Sequence, residues 1–243
     1  MEKGKSLKVL IAVIAYNEEK NIINTLNSLL NTNYDVVVVD DGSTDETWQL
    51  VKNLGVNIIR HSVNTSNAMI TVTTYLSYAY RNGYDVVCQF DGDGQHLVNE
   101  LPKIILPITN NTADYVIGSR FVEKNGFQSS FIRRIGIGLF SLLITKIVKT
   151  NITDATSGFR AYSPLIMEYF DVRYKSELYD TNQLLLLSHY AGARIEEVPV
   201  VMKERTYGKS EFGFLRSFLF PFQGIICILG ILIQKGTKYG TKT

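Results

Sequence analysis

Short runs of Val, Ile and Leu recur through the first half of this chain, each separated from the next by a segment with helical periodicity and each ending in a polar or acidic break. Lys8 to Ile14, Asp35 to Val39, Val56 to Arg60, Asp85 to Phe90 and Asp114 to Ser119 read as strands. Between them lie helical segments, the first with Ile22, Ile23, Leu26, Leu29 and Leu30 on one face, later ones over Ala68 to Arg81 and near Leu101 to Ile108. A strand that is apolar at nearly every position has both faces buried, and consecutive strands joined through helices run parallel. The pattern predicts an α/β fold: a mostly parallel, Rossmann-like sheet with helices on both faces.

In such a sheet, ligands bind in the crevice outside the carboxyl ends of the strands. Acids gather at those ends. Glu18 lies in the break after the first strand, Asp40 and Asp41 end the second, and Asp91 and Asp93 end the fourth. Thr44 or Asp45 is placed to cap the next helix, which runs through Leu54. The most informative string is Asp91-Gly92-Asp93-Gly94-Gln95-His96, where glycines let the backbone turn sharply and two acids, an amide and an imidazole project from one turn. Paired carboxylates supply hard oxygen ligands for a divalent cation and leave coordination positions open for a phosphate. Taken by itself, the same string also reads as an ordinary exposed turn.

At 243 residues and 45% hydrophobic, the chain can bury a sizeable core. A formal net charge of +2 with no long basic run excludes a nucleic-acid footprint and points to small-molecule and lipid partners. Cys88 and Cys227 are too far apart and too apolar in setting to suggest a disulfide framework or a zinc site, which fits a cytoplasmic environment. Residues 1–6 lead into the first strand without the apolar stretch of a signal peptide, so export is not expected.

The ordered strings Ala15-Tyr16-Asn17-Glu18-Glu19, Val38 to Asp45, Asp91 to His96, Gly118-Ser119-Arg120-Phe121, Thr156 to Tyr162, and Glu197 to Val200 running on to Arg205-Thr206-Tyr207-Gly208-Lys209-Ser210 resemble the inverting GT-A glycosyltransferases of family 2. They resemble in particular the branch of dolichyl-phosphate mannose synthases and bacterial polyprenyl-phosphate glycosyltransferases. The resemblance covers roughly Lys8 to Phe212.

That resemblance implies a nucleotide-sugar donor, a Mg2+ or Mn2+ cofactor and a polyprenyl phosphate acceptor. It places Tyr16, Glu18, Asp40 and Asp41 at the nucleoside, and Asp91, Asp93 and Gln95 at the metal and diphosphate, with Asp93 also a catalytic candidate. Arg205 falls where a basic residue closes over the diphosphate, a task that suits a planar guanidinium. Ser119, Arg120, Arg133 and Arg134 fall where relatives bind the acceptor phosphate, although the arginine pair also reads as a membrane-facing or solvated helix start. The chain departs from the family pattern in three places. Asn64 to Thr71 holds no glycine where many relatives have a glycine-rich loop, Glu211 replaces a lysine for which Lys209 is the substitute, and Tyr179 to Gln183 lacks a second acid.

Beyond Gly213 the chain becomes almost wholly apolar from Phe214 to Ile233, with Lys235, Lys238 and Lys242 following. Residues 1–213 are thus expected to form the GT-A domain and residues 214–243 an apolar, helical, membrane-associating segment at the cytoplasmic face, either lying in the interface or making one marginal span. The alternative is a helix packed on the domain or on a second copy in a homo-oligomer. Three further functions compete with lipid-phosphate glycosylation. The acceptor can instead be a sugar hydroxyl on a lipid-linked or cell-surface glycan, which needs a general base and makes Asp180 the candidate. The chain can be a nucleotide-sugar-binding subunit with impaired turnover, or, more weakly, a nucleotidyltransferase.

Overall fold

The structure is a computed structural model, and it describes residues 7–123, 131–173, 181–205 and Gly230. Strands β1 (Val9–Ala15), β2 (Asp35–Asp40), β3 (Asn57–Arg60), β4 (Val86–Asp91), β5 (Tyr115–Ser119), β6 (Arg160–Tyr162) and β7 (Ile195–Pro199) form a seven-stranded sheet in the order β3-β2-β1-β4-β6-β5-β7. The helices are α1 (Ile22–Leu30), α2 (Thr47–Asn53), α3 (Ala68–Arg81), α4 (Leu101–Thr109), α5 (Phe131–Val148), α6 (Pro164–Glu168) and α7 (Thr181–Tyr190).

Alternation along each strand splits the core into two layers, because successive side chains leave opposite faces of the sheet. Leu10 and Ala12 of β1 join Val37, Val39, Val87 and Ile117 against α3, α5, α6 and α7 through residues such as Leu76, Ile144, Ile166 and Leu185. Ile11, Val13 and Ala15 join Val38, Cys88 and Phe90 against α1 and α4 through Ile22, Leu26, Leu101 and Ile104. Helices cover both faces, as the continuous apolar runs predict. At about 1.5–3 kcal/mol for each fully buried aliphatic side chain, these two layers are the main source of stability.

The expected strands agree with the observed ones to within a residue or so, and α2 begins at Thr47, two residues beyond Asp45. Asp45 still serves the helix start, its Oδ1 accepting the Thr47 N–H at 3.0 Å. Strands β6 and β7 are not among the expected strands, and β6 departs furthest from the parallel pattern. It lies between β4 and β5 and runs antiparallel to both, whereas the other neighbouring pairs are parallel. Its charged member is interior: Arg160 is 0% exposed and donates to Ser157 O and Ala155 O, each at 2.6 Å, and to the Tyr115 hydroxyl. The guanidinium thereby fixes the 155–157 loop above the sheet.

The chain winds from β1 outward through β2 and β3, then returns to place β4 on the other side of β1. This reversal opens a crevice between the carboxyl ends of β1 and β4, the usual place for a ligand in a doubly wound sheet. The apolar helix expected over residues 214–243 lies, Gly230 apart, outside the described residues. Among the described residues no helix is long and apolar enough to cross a membrane.

Candidate active site

The turn leaving β4 is held from beneath. Asp91 N–H donates to His96 Nδ1 at 3.0 Å, which puts the imidazole proton on Nε2, 3.5 Å from Asp91 Oδ2. The ring stacks on Phe159 with centroids 4.4 Å apart and meets Phe90 edge-on at 5.3 Å. His96 is therefore a buried brace for the turn and does not project from it with the acids. Gly94, at φ +79°, takes the left-handed conformation that closes the turn.

Of the two carboxylates, Asp91 faces the crevice with its side chain 36% exposed, while that of Asp93 is only 5% exposed. Gly158 approaches Asp91 so closely that a Cβ there would stand 3.0 Å from Oδ2. Asp93 Oδ1 accepts the Gln95 N–H at 2.9 Å, and its Oδ2 accepts from Arg205 Nε at 3.1 Å and Nη2 at 2.6 Å. Arg205 reaches this position because the segment after β7 is tied to the turn: Lys203 N–H donates to Gln95 O at 2.9 Å, Gln95 Nε2 donates to Lys203 O at 3.2 Å, and His96 bridges Met202.

On the β1 side, Glu18 Oε1 lies 4.0 Å from Arg205 Nη2, and Glu18 Oε2 accepts from Asn21 Nδ2 at 2.7 Å. Burial pushes the Glu18 carboxyl above its ordinary range, against the opposing pull of Asn21 and Arg205. Tyr16 is half-buried in the same loop. Asn17, which the sequence reading overlooked, ties this loop to the next: at φ +53° its Oδ1 accepts the N–H groups of Thr44 and Asp45 at 2.8 and 3.4 Å. Asparagine tolerates that left-handed conformation, which was the signal available.

Asp40 is 0% exposed and turned into its own loop, where Oδ1 accepts from Ser43 N–H at 3.2 Å and from the Ser43 hydroxyl, and Oδ2 sits 3.2 Å from Arg60 Nε. That last contact is an ion pair without hydrogen-bond alignment, since Asp40 Oδ2 has no hydrogen-bond partner. Asp41 faces the glycine-free loop: His61 Nδ1 lies 2.7 Å from Oδ1, and the Thr65 hydroxyl donates at 3.0 Å. Asn64 Nδ2 and the Thr65 N–H also donate to Asp41 Oδ2, each at 3.3 Å, so the loop is fastened to the end of β2 through this carboxylate.

At the end of β5, Ser119 and Arg120 sit in a polar network with Thr153, Asp154 and Glu197, to none of which the sequence assigns a role. Arg120 Nε and Nη2 donate to Asp154 Oδ2 and Oδ1 at 2.7 and 2.8 Å, and Asp154 is 0% exposed. Glu197 of β7 in turn accepts the backbone N–H groups of Thr153 and Asp154 at 2.8 and 2.7 Å. Burial nonetheless raises the Glu197 carboxyl above its usual range. The Ser119 hydroxyl lies 2.9 Å from that of Thr153. Burial works against the charge on Arg120, but its bonds to Asp154 outweigh that and hold the guanidinium charged, with Asp91 adding a smaller pull in the same direction. Arg133 and Arg134 lie in the first turn of α5. Asp180 and Lys209 lie outside the described residues.

Among the described residues no three His, Cys, Asp or Glu side chains gather to hold a metal ion. Asp91 and Asp93 fit a divalent cation that draws its remaining ligands from a bound diphosphate and water: they are hard oxygen donors, and Asp93 already attracts a cation in the form of Arg205. A cavity of about 380 Å³ lies behind the turn, lined by Asn21, Asn24, Thr25, Ser28, His96 and Lys203 among others. Neither Asp91 nor Asp93 lines it, so the carboxylate face is the open crevice and not this cavity.

Comparison with known proteins resolves the family. The Glycosyl transferase family 2 pattern matches residues 10–170. The chain belongs to that family. A UDP-N-acetylglucosamine–dolichyl-phosphate N-acetylglucosaminyltransferase of Methanococcus voltae is 32% identical over 79% of this chain and 84% of its own length. An undecaprenyl-phosphate mannosyltransferase of Micrococcus luteus is 29% identical over 84% of this chain and 87% of its own. The crystal structure of glucosyl-3-phosphoglycerate synthase from Mycobacterium tuberculosis, with Mn2+, UDP and glucosyl-3-phosphoglycerate, superposes with a TM-score of 0.67 over 92% of this chain and 79% of that one, at 16% identity. The glycosyltransferase assignment and the α/β GT-A-like fold follow. The β4 turn and the β6 loop both fall inside the matched residues.

Proposed function

We propose that this family 2 glycosyltransferase moves a sugar from a nucleoside-diphosphate sugar to a polyprenyl phosphate at the cytoplasmic membrane face, with inversion at the anomeric carbon. One observation carries the reading. An anionic turn with its own arginine ends β4, and a second arginine, Arg120, ends β5 at the same height: Gln89 and Ile117 both pair with Arg160, so Asp91 and Ser119 each lie two residues further on. Relatives named for transfer to dolichyl and undecaprenyl phosphates support the acceptor class, and a fold neighbour holding Mn2+ and UDP supports the donor and the metal.

In this reading Tyr16, Glu18 and Asp41 flank the nucleoside, with Asp40 holding their turn. Asp91, Asp93 and Gln95 would hold Mg2+ or Mn2+, whose contribution when bound is to neutralise charge gathering on the leaving diphosphate. Arg205 and Lys209 bind the diphosphate, and Ser119, Arg120, Arg133 and Arg134 hold the acceptor phosphate. An oxygen of that phosphate attacks the anomeric carbon, the bond from that carbon to the diphosphate breaks, and the electron pair leaves with the diphosphate. The nucleophile is already an anion, so no proton has to be removed and no general base is needed.

The test supplies polyprenyl phosphate in vesicles with a panel of radiolabelled UDP- and GDP-sugars. Label should enter the lipid fraction and be released by mild acid. Label appearing only on a glycan hydroxyl acceptor would replace this reading with the second one.

A further inference from the structure

Asp93 is the more enclosed carboxylate of the turn, and both of its oxygens are already engaged. Oδ2 receives both Nε and Nη2 of Arg205, while Oδ1 receives the Gln95 N–H, so a cation approaching Asp93 competes with a guanidinium held by two charge-assisted hydrogen bonds. Arg205 does not reach there on a loose tether. The Lys203–Gln95 and Met202–His96 pairings tie its backbone to the turn that bears Asp93, and Glu18 stands 4.0 Å away as a second anion for the same side chain.

We infer that Arg205 is an internal counter-cation for Asp93 that yields the carboxylate when a nucleoside diphosphate draws the guanidinium off, so that metal and diphosphate load together. This rests on the diphosphate reading above and adds to it an order of events. Without diphosphate the divalent ion must displace Arg205 unaided. With diphosphate present, the guanidinium exchanges one anion for another and Asp93 is released to the ion. Linkage makes the effect reciprocal: metal on Asp93 frees Arg205 for the diphosphate and tightens nucleotide binding by the same factor. Charge-assisted bonds of this kind are strong enough that holding Asp93 should weaken binding of metal alone by about tenfold.

The experiment titrates Mn2+ into the full chain, by calorimetry and by the resonance signal of free Mn2+, alone and with saturating UDP or GDP. Wild type is compared with Arg205→Gln, Arg205→Lys, Lys203→Gln and Asp93→Asn, each checked for folding by circular dichroism. Arg205→Gln should bind Mn2+ alone about tenfold more tightly than wild type, and adding nucleotide should tighten it by a smaller factor than in wild type. Arg205→Lys keeps a cation on the turn and should stay near wild type. Lys203→Gln removes a neighbouring positive charge that does not touch Asp93, so its shift measures simple loss of charge. Arg205→Gln binding Mn2+ alone no more tightly than Lys203→Gln would overturn the inference, even with nucleotide-dependent Mn2+ binding intact in wild type. Absence of Mn2+ binding in wild type with either nucleotide would instead overturn the diphosphate-and-metal reading itself. Asp93→Asn should lose Mn2+ in both conditions, and retention there would place the ion elsewhere and sink the inference with it.

Discussion

Replacing Gly158 with alanine asks whether the loop above β6 sets the position of Asp91. The backbone at residue 158 lies outside the left-handed region, so alanine can adopt it without strain and the effect is one of space. The added carbon would stand 3.0 Å from Asp91 Oδ2, 3.1 Å from Gln89 Nε2 and 3.4 Å from Asp91 Oδ1. A comfortable contact begins at about 3.5 Å, so a neighbour must retreat by about half an ångström. Gln89 cannot, because it is 6% exposed and its Oε1 is pinned by the buried Tyr75 hydroxyl at 3.0 Å. The Asp91 carboxylate, 36% exposed, is the group that moves. Misplacing a reacting or ligating group by 1 Å is worth about 10²-fold, so half of that should lower turnover about tenfold. Stability should fall by only about 1 kcal/mol, the low end for overpacking, because the displaced side chain swings toward solvent. The assay pairs kcat with urea denaturation of the same protein. Wild-type turnover together with wild-type stability would show that the loop yields, and that Gly158 does not set the position of Asp91.

Asp93→Asn should abolish metal-dependent turnover with the fold intact, and full activity of this variant in the presence of a chelator would remove the metal from the mechanism. Glu18 is raised above 4.5 by burial, so the folded state binds its proton more tightly than the unfolded chain; its contribution to stability is present below that pH and is lost as pH rises through the folded value. Glu18→Gln should therefore flatten the decline in stability from about pH 4.5 upward, read as urea midpoints across pH, and an unchanged slope would contradict the shift. Arg160→Met strips donors from Ser157 O, Ala155 O and the Tyr115 hydroxyl in the interior and should lower unfolding free energy by about 3–5 kcal/mol; a loss under about 1 kcal/mol would mean the loop is held by other contacts.

What was legible in the sequence follows from range. A strand buried on both faces writes its burial into consecutive residues, so β1, β2, β4 and β5 could be read from local composition, and the acids at their ends came with them. Strand β6 could not, because Arg160-Ala161-Tyr162 is too short to show a period and its middle position alone is aliphatic. His96 was misread as projecting because its orientation depends on Phe159, far along the chain, which supplies the ring it stacks on. Asp154 drew no notice and Glu197, though part of a matching string, no role, for the same reason: each is an unremarkable acid until the β5–β7 pairing brings Glu197 opposite Ile117 and hence beneath Thr153. The glycine-free loop after β3 shows the converse. Its departure from the family pattern is visible in the sequence, but only the structure shows that His61 and Thr65 fasten this loop to Asp41.

The antiparallel strand is also what sets the scale of the proposed reaction. Were β5 hydrogen-bonded directly to β4, Asp91 and Ser119 would stand about 5 Å apart across one strand spacing, too close for a phosphate on each side of a sugar ring. Inserting β6 widens this to two spacings, about 10 Å, while its register keeps both strand ends at one height. The loop leading into β6 then fills the floor between them, with Gly158 against Asp91 at one side and Thr156 near Arg120 at the other, 3.4 Å from Nη2. A side chain at position 158 would occupy that floor, its Cβ 3.0 Å from Asp91 Oδ2. On the proposed reading, then, β6 spaces Asp91 and Ser119 by about the width of one sugar and its bridging oxygens, and the buried Arg160 serves that arrangement by holding the loop down through Ser157 O and Ala155 O.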